Sequence, residues 1–233
     1  MDGIILAGGA GTRMRPLTLN TPKPLLTLQD QPILAWSLLS LRGIVDRVLV
    51  VVHHLKEQIA DFMAGQTLFL DYTLVEQTPA PLGTGHALQC CRPALQSHDF
   101  LVINGDDLFA KEGLRQLSRH PFAILAARRE DYHRYGVIVR DDAGRFRAIH
   151  EKPPAGAYPA PAPCSIGAYK LRTEIFDYPL QKSARGEFEL TDAITAVATR
   201  RDIATVDSPF WLPIGDLAAL ETAQAADIVR WIH

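Results

Sequence analysis

The sequence predicts an α/β protein with a mixed, mainly parallel sheet flanked by helices. Over the first half of the chain, short apolar runs alternate with amphipathic stretches. From about residue 122 onward, strand-like runs follow one another with little helical pattern between them. Strands that alternate with crossover helices are typical of a parallel sheet covered on both faces. A later run of strands adds antiparallel neighbours to such a sheet.

In the first half, apolar runs predict strands and the stretches between them predict helices. Each strand should end at the same edge of the sheet, because parallel strands share their direction. In chain order we predict strand Gly3–Ala7, helix Ile33–Leu41 after Pro32, strand Arg47–His54, helix Lys56–Met63, strand Asp71–Gln77, a helix from about Gly85, and strand Asp99–Gly105.

In the second half, residues 122–130, 135–153 and 164–171 are strand-like, and the "DDAG" at 141–144 predicts a hairpin turn. Residues Pro153–Pro163, rich in proline and alanine, predict an extended surface loop that could act as a mobile flap. We predict one final helix over Leu217–Trp231. The chain shows no internal repeat and no long linker, so we expect a single domain over 1–233, with halves at about 1–122 and 123–233.

Composition and charge restrict the function classes. With 47% apolar residues, 21% charged residues and a net charge of −2, the chain has no overall attraction for nucleic acid or an anionic membrane. The N-terminus lacks a signal-peptide pattern, because Asp2 precedes the first apolar run. The chain has three cysteines, an odd number, and their spacing is not that of metal ligands. We therefore expect Cys90, Cys91 and Cys164 to be buried, reduced thiols. These features predict a cytoplasmic protein in which any anion site is local.

A glycine-rich loop, "GGAGTR" at Gly8–Arg13, directly follows the first predicted strand. Open α/β sheets bind ligands at this edge, and glycines let backbone N–H groups approach a phosphate closely. A tight turn without a ligand is the alternative. Arg13 stands where a Walker A loop needs glycine, and Met14 where a dinucleotide-binding fingerprint needs its third glycine. The sequence therefore excludes both of these better-known phosphate loops.

Positive charge close to this loop favours a bound anion. Arg13, Arg15 and Lys23 lie in one short segment, and Lys23 stands between Pro22 and Pro24. Proline fixes its own φ and restricts the residue before it, so Lys23 is held in a defined position. A solvated surface lysine is the alternative, but a held lysine is better explained by a phosphate at a fixed place.

The segment "LAGGAGTRMRPLTLNTPKPL" resembles the signature of the sugar-1-phosphate nucleotidyltransferases, L-x-G-G-x-G-T-R followed by P-K-P. Enzymes of this family join a sugar 1-phosphate to a nucleoside triphosphate and release pyrophosphate. The resemblance spans nearly the whole chain and implies a Rossmann-like, GT-A-like fold of the nucleotide-diphospho-sugar transferase type. Further matches are "EQ" and "LGTGHA" within Glu76–Ala87, "NGDD" at Asn104–Asp107, "YGVI" at Tyr135–Ile138, "EKP" at Glu151–Pro153, "GEFELTD" at Gly186–Asp192 and "WLPIG" at Trp211–Gly215.

The resemblance implies roles for residues of the first half, which would be the nucleotide-binding half. Arg13 would contact the phosphates during transfer, and Lys23 would attract the attacking sugar phosphate. The "LGTGHA" spelling is most similar to enzymes that use UTP, with dTTP next. A turn at a helix entry is the alternative for that segment. The implied nucleotide-binding residues are Leu6, Ala7, Gly8, Gly9, Gly11, Thr12, Gln77, Gly83 and Thr84.

A metal is expected because Mg²⁺ bridges phosphate oxygens and prefers carboxylate ligands. Asp106 ends a predicted buried strand and matches the metal-binding aspartate of the family's G-D motif. A helix-capping aspartate is the alternative, and Asp107 could have that role. Many family members carry W-x-D-x-G near the C-terminus, but Pro213 stands in the acidic place here. Asp216 is a weaker substitute for the second ligand.

The second half would bind the sugar phosphate. The resemblance implies that Gly136 offers its backbone, that Glu151 accepts sugar hydroxyls and that Lys152 reaches the phosphate. A solvated Glu–Lys pair is the alternative for the last two. Ser165 stands where the family usually has asparagine, and its shorter side chain changes any contact with the sugar ring.

Two functions follow from these residues. The first is a nucleotidyltransferase that acts on a nucleoside triphosphate and a sugar 1-phosphate. The second is a catalytically weakened regulatory or binding homologue that keeps the pocket, for which Pro213 and Ser165 are the arguments. Nucleic acid and membranes are not expected partners. A homo-oligomer is compatible with the sequence, which does not determine the oligomeric state.

Overall fold

The computed structural model describes residues 1–183 and 185–232. In this part of the chain a nine-stranded sheet forms the centre, and two short two-stranded ribbons lie beside it. The strands are β1 (Asp2–Leu6), β2 (Thr27–Leu28), β3 (Gln31–Pro32), β4 (Arg47–Val52), β5 (Tyr72–Glu76), β6 (Asp99–Asn104), β7 (Asp107–Phe109), β8 (Ala123–Arg129), β9 (Gly136–Arg140), β10 (Phe146–Glu151), β11 (Ala162–Arg172), β12 (Ala204–Asp207) and β13 (Trp211–Pro213).

Helices cover both faces of the central sheet. They are α1 (Ile33–Leu41), α2 (Lys56–Gly65), α3 (Thr84–Cys91), α4 (Lys111–Leu117), α5 (Leu190–Val197), α6 (Leu217–Ala223) and α7 (Val229–Ile232). Side chains alternate along β1: Ile4 packs in the core on the side of α3 and α5, and Ile5 packs on the side of α1, α2 and α4. The strand is therefore buried on both faces, as its continuous apolar run predicts.

The sheet has a parallel region and a mainly antiparallel region. Strands β6, β1, β4 and β5 are adjacent in this order and all parallel. Beyond β6, the long strand β11 runs antiparallel to β6, β8 and β9, and β10 pairs with β9. Strand β12 adds a parallel partner to β8. The predicted mixed sheet with a parallel first half is confirmed.

Strand β11 joins the two regions. Its C-terminal part pairs with β6, from Ala168 opposite Ile103 to Arg172 opposite Asp99. Its N-terminal part extends past the carboxyl end of β6 and pairs with β8 and β9. The register shifts between Ser165 and Tyr169, and Gly167 lies there with a φ of 83°. This bulge lies beside the ends of the parallel strands.

The predicted elements of the first half are present within a few residues of their expected ends, and the hairpin at 141–144 is confirmed by the antiparallel pairing of β9 and β10. The loop predicted at Pro153–Pro163 is too long. Ala162 and Pro163 already belong to β11, opposite Arg129 and Arg128. Proline is accepted near the start of a strand because its fixed φ suits an extended backbone.

The single final helix predicted over Leu217–Trp231 is wrong. The chain forms α6 and α7 with a turn between them. The Gln29 side chain donates to the carbonyl oxygens of Gln224 and Ala226, at 3.3 and 2.7 Å. Those carbonyls are bonded to another segment instead of continuing a helix, and Ile228 and Ile232 reach the core through the turn.

The three cysteines are free thiols. Cys91 and Cys164 are buried as predicted, but Cys90 is partly exposed, because it lies on the outer side of α3. Burial raises the pKa of the Cys164 thiol to about 11, so this thiol stays protonated at neutral pH.

Over the described ranges, none of the helices has the length and apolar character required to cross a bilayer.

Candidate active site

Two adjoining hollows form a cleft at the carboxyl ends of β1 and β6. The inner cleft, of about 570 Å³, lies over the glycine-rich loop. The outer cleft, of about 560 Å³, lies between the β8–β9 region and the start of α6. The two share seven lining residues: Arg13, Asn104, Asp106, Gly215, Glu151, Lys152 and Tyr169. Ligands in the two hollows would therefore meet at Arg13 and Asp106.

The glycine-rich loop is held by neighbouring segments and leaves open space above it. Gly11 has a φ of 59°, and its carbonyl accepts a hydrogen bond of 2.8 Å from the Thr18 hydroxyl. A Cβ on Gly9 would find no atom within 4 Å. Leu6, Gly9, Gly11 and Thr12 line the inner cleft. Ala7 and Gly8 lie in the same loop, with Gly8 packed against Gln77 and His53.

Arg13 and Lys23 are positioned by the buried segments beside them. Met14 is fully buried in the core and fixes the short turn that carries Arg13. Lys23 is only 6% exposed, and its Nζ donates to Asp106 Oδ2 over 2.6 Å. The structure therefore brings together the lysine that the resemblance assigns to the sugar phosphate and the aspartate that it assigns to the metal.

Asp106 follows β6 through Gly105. The Gly105 N–H donates to the Leu6 carbonyl at 3.0 Å, and a Cβ on Gly105 would come within 2.8 Å of that oxygen. Only glycine allows β1 and β6 to approach so closely at their ends. Asp106 thus lies next to the glycine-rich loop, although about 100 residues separate them in the chain.

The neighbouring Asp107 is buried. Burial and the Asp106 carboxylate raise its pKa well above the usual range, and hydrogen bonding to Asn104 only partly offsets this. Asn104 Nδ2 donates to Asp107 Oδ2 over 3.1 Å. Gly167 is required beside this pair, because a Cβ there would lie 2.1 Å from Asn104 Nδ2.

Among residues 1–183 and 185–232 there is no cluster of three or more His, Cys, Asp or Glu side chains that could hold a metal ion. Asp216 Oδ1 accepts from the Ala219 N–H at 2.9 Å and caps α6, and its Oδ2 lies 3.8 Å from Arg134. Mg²⁺ commonly binds through one or two carboxylates and completes its shell with substrate phosphates and water. Asp106 at the meeting of the clefts fits that mode, whereas a cage made of protein ligands does not.

Gln77, Gly83 and Thr84 lie together at the start of α3. Gln77 is buried, and its Nε2 donates to the Gly83 carbonyl at 3.0 Å and lies 3.2 Å from His86 Nδ1. Thr84 lines the inner cleft, and its hydroxyl accepts from the Leu190 N–H at 3.0 Å. A Cβ on Gly83 would lie 2.6 Å from the Phe188 carbonyl. The close approach of residues 187–189 therefore explains why a glycine is needed at position 83, without reference to a bound nucleotide.

The residues predicted to bind the sugar phosphate all line the outer cleft. Burial raises the pKa of Glu151 above its usual range. A Cβ on Gly136 would come within 2.9 Å of Glu151 Oε1, so these two residues are in close contact. Lys152 has a φ of 45°, and its N–H donates to the Tyr135 carbonyl at 2.9 Å. The Ser165 hydroxyl donates to Tyr169.

Several lining residues were not identified from the sequence. Arg185, which pairs with Glu189 over 2.7 Å, lines the inner cleft. Arg129, Arg134 and Trp211 line the outer cleft. Arg185 is adjacent to the "GEFELTD" match and could have been selected for that reason. Nothing in the local sequence indicates that Arg129 faces a cleft, because the pairing of β8 with β11 decides this.

A separate hollow of about 510 Å³ lies at the opposite edge of the sheet, near Arg92 and Phe176. Its polar groups are largely bonded to the protein. Glu174 pairs with Arg201 at 2.8 Å, the His98 ring bonds to the Thr173 hydroxyl, and Arg92 stacks over Phe176. None of the residues singled out in the sequence lies there, so the chemistry is better sought in the two joined clefts.

Known proteins resemble this chain over most of its length. The family model described as nucleotidyl transferase matches residues 2–229. A bifunctional protein GlmU from Methanocaldococcus jannaschii is 31% identical over 221 residues, which is 92% of this chain and 51% of that protein. A glucose-1-phosphate thymidylyltransferase from Streptomyces griseus is 29% identical over 228 residues, 93% of this chain and 63% of that protein. The chain thus spans about half the length of the GlmU relatives it matches.

A solved structure supplies the fold comparison. A UDP-glucose pyrophosphorylase in complex with UDP-glucose superimposes with a TM-score of 0.86 and 20% sequence identity, covering 98% of both chains. This likeness confirms the predicted fold of the nucleotide-diphospho-sugar transferase type.

Proposed function

The chain belongs to the nucleotidyl transferase family, and from this premise we propose that it transfers a nucleotidyl group from a nucleoside triphosphate to a sugar 1-phosphate. UTP is the proposed donor and dTTP the second choice, on the spelling of the segment at Gly83–Ala87. The products would be a nucleoside diphosphate sugar and pyrophosphate. The observation that carries the proposal is the meeting of the two clefts at Arg13 and Asp106, with Lys23 of the inner cleft bonded to Asp106.

In the proposed reaction, an oxygen of the sugar phosphate attacks the α-phosphorus of the nucleotide. A new P–O bond forms, and the bond from the α-phosphorus to the bridging oxygen of pyrophosphate breaks. Both substrates are anions, so the protein acts mainly by positioning them and compensating their charge. Arg13 and Lys152 are cations that line both clefts, and Lys23 lies in the inner cleft bonded to Asp106.

The backbone N–H groups of the glycine-rich loop would hold the triphosphate. The space above Gly9 leaves room for phosphate oxygens next to the main chain. Lys152 would bind the phosphate of the sugar, and the Glu151 carboxylate would accept its hydroxyls. Ser165 and the backbone of Gly136 complete this side of the outer cleft.

Mg²⁺ is the proposed metal, held by Asp106 and the nucleotide phosphates, and it would compensate charge on the transferred phosphoryl group. Lys23 occupies the same carboxylate in this structure. The Lys23 ammonium has three N–H donors, so it could bind a sugar phosphate while one of them stays with Asp106. Asp216 is engaged as the cap of α6, so any role as a second ligand would require that bond to break.

The proposal is tested by measuring pyrophosphate release with a panel of nucleoside triphosphates and sugar 1-phosphates in the presence of Mg²⁺. We expect turnover with UTP above that with dTTP, and none without a sugar 1-phosphate. The proposal fails if no pair of substrates gives pyrophosphate.

A binding or regulatory homologue is the second candidate. Pro213 favours it, because this residue lies opposite Asp107 in the ribbon of β7 and β13, where the family often places an acid. Binding of UTP without turnover of any sugar 1-phosphate in the same panel would favour this function. Cytoplasm is the proposed location, since the donor nucleotides are made there.

A further inference from the structure

Two arginines line the outer cleft away from the glycine-rich loop. Arg129 lies at the carboxyl end of β8, and Arg134 lies in the short turn before β9. Both line the outer cleft, and neither lines the inner one. The proposed transfer reaction assigns them no role, because its phosphates are held by Arg13, Lys23 and Lys152.

Arg129 is fixed in place by three neighbours. Its Nε donates to Asp131 Oδ1 over 2.8 Å. Its guanidinium lies 5.4 Å from the centre of the Tyr135 ring and 5.6 Å from that of Trp211. Within the described residues its two Nη groups have no hydrogen-bond acceptor. Arg129 therefore has an oriented guanidinium with free donors, which suits a planar anionic group.

Arg134 is held less tightly and adds a second positive charge. It lies 3.5 Å from Asp131 and 3.8 Å from Asp216, and in the described chain its guanidinium makes no closer polar contact. Asp131 is thus shared by two arginines, and it is not among the described residues that line the cleft. The carboxylate that pairs with both arginines does not line the outer cleft, whereas both arginines do.

The acids that line the outer cleft are bound elsewhere and leave the Nη groups of Arg129 free. Asp106 is paired with Lys23, Asp107 accepts from Asn104, and Asp216 caps α6 through one oxygen while the other lies 3.8 Å from Arg134. Glu151 lies on the wall shared with the inner cleft. The Nη groups of Arg129, which lines the outer cleft beside Tyr135 and Trp211, therefore have no acceptor among the described residues, and the transfer of a neutral sugar phosphate gives them none.

We propose that the outer cleft selects an acidic sugar 1-phosphate, one whose sugar carries a second anionic group that binds Arg129 and Arg134. This inference rests on the proposed transferase function and specifies its substrate class. A guanidinium binds a carboxylate or a phosphate through paired N–H groups, so the second group can be either. The rings of Tyr135 and Trp211 give the sugar an apolar surface beside that group.

The test compares sugar 1-phosphates that differ in one anionic group. Glucose 1-phosphate is compared with glucuronic acid 1-phosphate and with glucose 1,6-bisphosphate, and N-acetylglucosamine 1-phosphate with its 3-O-lactyl derivative. The kcat/KM of each is measured with UTP and Mg²⁺. We expect at least one acidic sugar to exceed its neutral counterpart by about 10-fold or more, and the arms separate a carboxylate from a phosphate.

Variants locate the effect. Arg129→Gln and Arg134→Gln should each lower the ratio of acidic to neutral kcat/KM by about 10- to 100-fold, the usual effect of losing a hydrogen bond to a charged group. Arg128→Gln is the matched control: Arg128 is the neighbour of Arg129 on β8, is exposed, and donates to the Pro161 carbonyl instead of lining the cleft. It removes the same charge and should leave the ratio unchanged.

The outcomes are distinguishable. Turnover of neutral sugars with no preference for any acidic one overturns this inference and leaves the proposed function standing. An equal fall of the ratio in the Arg128 and Arg129 variants overturns it as well, because a general charge effect would explain the result. Absence of turnover with every sugar overturns both. Since Arg134 is half exposed, its variant can be read even if Arg129→Gln disturbs packing.

Discussion

Strand β6 has a buried lysine paired with an aspartate near each of its ends, and the two pairs differ in their surroundings. Beyond the carboxyl end, Lys23 pairs with Asp106 in the cleft. At the amino end, Lys170, which is 2% exposed, pairs with Asp99. A buried lysine with an acidic partner is therefore not by itself a sign of an active site, since the same contact occurs at both ends of one strand.

The difference lies in how completely the charges are compensated. Burial alone would raise the pKa of Asp99, but hydrogen bonds from Lys170 and Arg172 lower it overall. In the cleft, burial and a neighbouring carboxylate raise the pKa of Asp107, and burial raises that of Glu151. At the amino end the protein's own cations compensate the carboxylate, although burial lowers the pKa of Lys170, whereas in the cleft the pKa values of two carboxyl groups are raised. Incomplete compensation is expected where a charged ligand completes the site.

Of the substitutions that compare the two ends of strand β6, Lys23→Ala should have the largest effect on turnover. Loss of the cation where the clefts meet is expected to lower kcat/KM by about 10²- to 10³-fold, because the attacking phosphate would lose its compensating charge. Asp106 is partly exposed and can be solvated, so the thermal midpoint should change little.

Lys56→Ala is the control for this variant, since Lys56 forms an exposed pair with Glu76 of the same 2.6 Å length outside the cleft. Near-normal turnover of Lys23→Ala would remove this lysine from the mechanism. An equally large fall of kcat/KM in Lys56→Ala would show that the effect of Lys23→Ala is not specific to the cleft.

At the amino end, Lys170→Met should affect stability and spare activity. The change removes a cation that is buried beside Asp99, and we expect unfolding to become easier by about 2 kcal/mol. Arg172 remains 3.0 Å from Asp99, which keeps the loss below that for an isolated buried charge. Urea denaturation measures the first effect and pyrophosphate release the second. A large loss of turnover in folded Lys170→Met would contradict the comparison.

Gly9→Ala tests the cleft without changing a charge. No atom lies within 4 Å of the added methyl group, and Gly9 does not have a positive φ, so stability should be unchanged. If phosphates occupy that space, kcat/KM should fall by about 10-fold through their displacement. Gly65→Ala adds the same methyl group in open space at the end of α2 and should leave kcat/KM unchanged, with stability equal or slightly higher because alanine favours the helix. Full activity of Gly9→Ala would place the triphosphate elsewhere.

A change of pH should have the smallest effects, and these are effects on stability. They have opposite signs for Asp99 at the amino end of β6 and for Glu151 in the cleft. The lowered pKa of Asp99 stabilises the fold above its ordinary value of 3.8, and this stability is lost as the pH falls through the lowered pKa. The raised pKa of Glu151 has the reverse effect: below its ordinary value of 4.5 it has no destabilising effect, and stability falls as the pH rises through the raised pKa.

Unfolding of Asp99→Asn and Glu151→Gln over a range of pH measures this difference. At neutral pH, Asp99→Asn should be less stable than the parent protein and Glu151→Gln more stable. Both differences should shrink in acid. The same sign for both variants would show that the cleft carboxylates are as well compensated as Asp99.

The sequence predicted the parallel half of the fold well, because continuous apolar runs and the glycines that end them are local signals. The predicted final helix failed for a reason that is not local, since Gln29 bonds to the carbonyls of Gln224 and Ala226 from almost 200 residues away. The start of β11 was missed because its prolines are typical of loops, while its pairing with β8 and β9 depends on distant residues.

In the candidate site, too, residues in local motifs were predicted and contacts between distant segments were not. The glycine-rich loop, Lys23 and Asp106 were selected from short motifs, and the structure places them together. The Lys23–Asp106 contact itself could not be predicted, because it depends on the register of β1 against β6. Arg129 was missed because its approach to the cleft depends on the pairing of β8 with β11, whereas Trp211 lies in the "WLPIG" match and was not assigned to the site.

Strand β11 also determines the order in which the molecule can be assembled during synthesis. Until residues 168–172 have left the ribosome, β6 has no partner on the side away from β1, and the floor of the cleft is open. The glycine-rich loop is made first, yet its surroundings are completed only when a segment about 160 residues later arrives. A nascent chain that ends near residue 122 would therefore leave the backbone N–H and C=O groups on this edge of β6 unpaired, and nucleotide binding should appear late in translation.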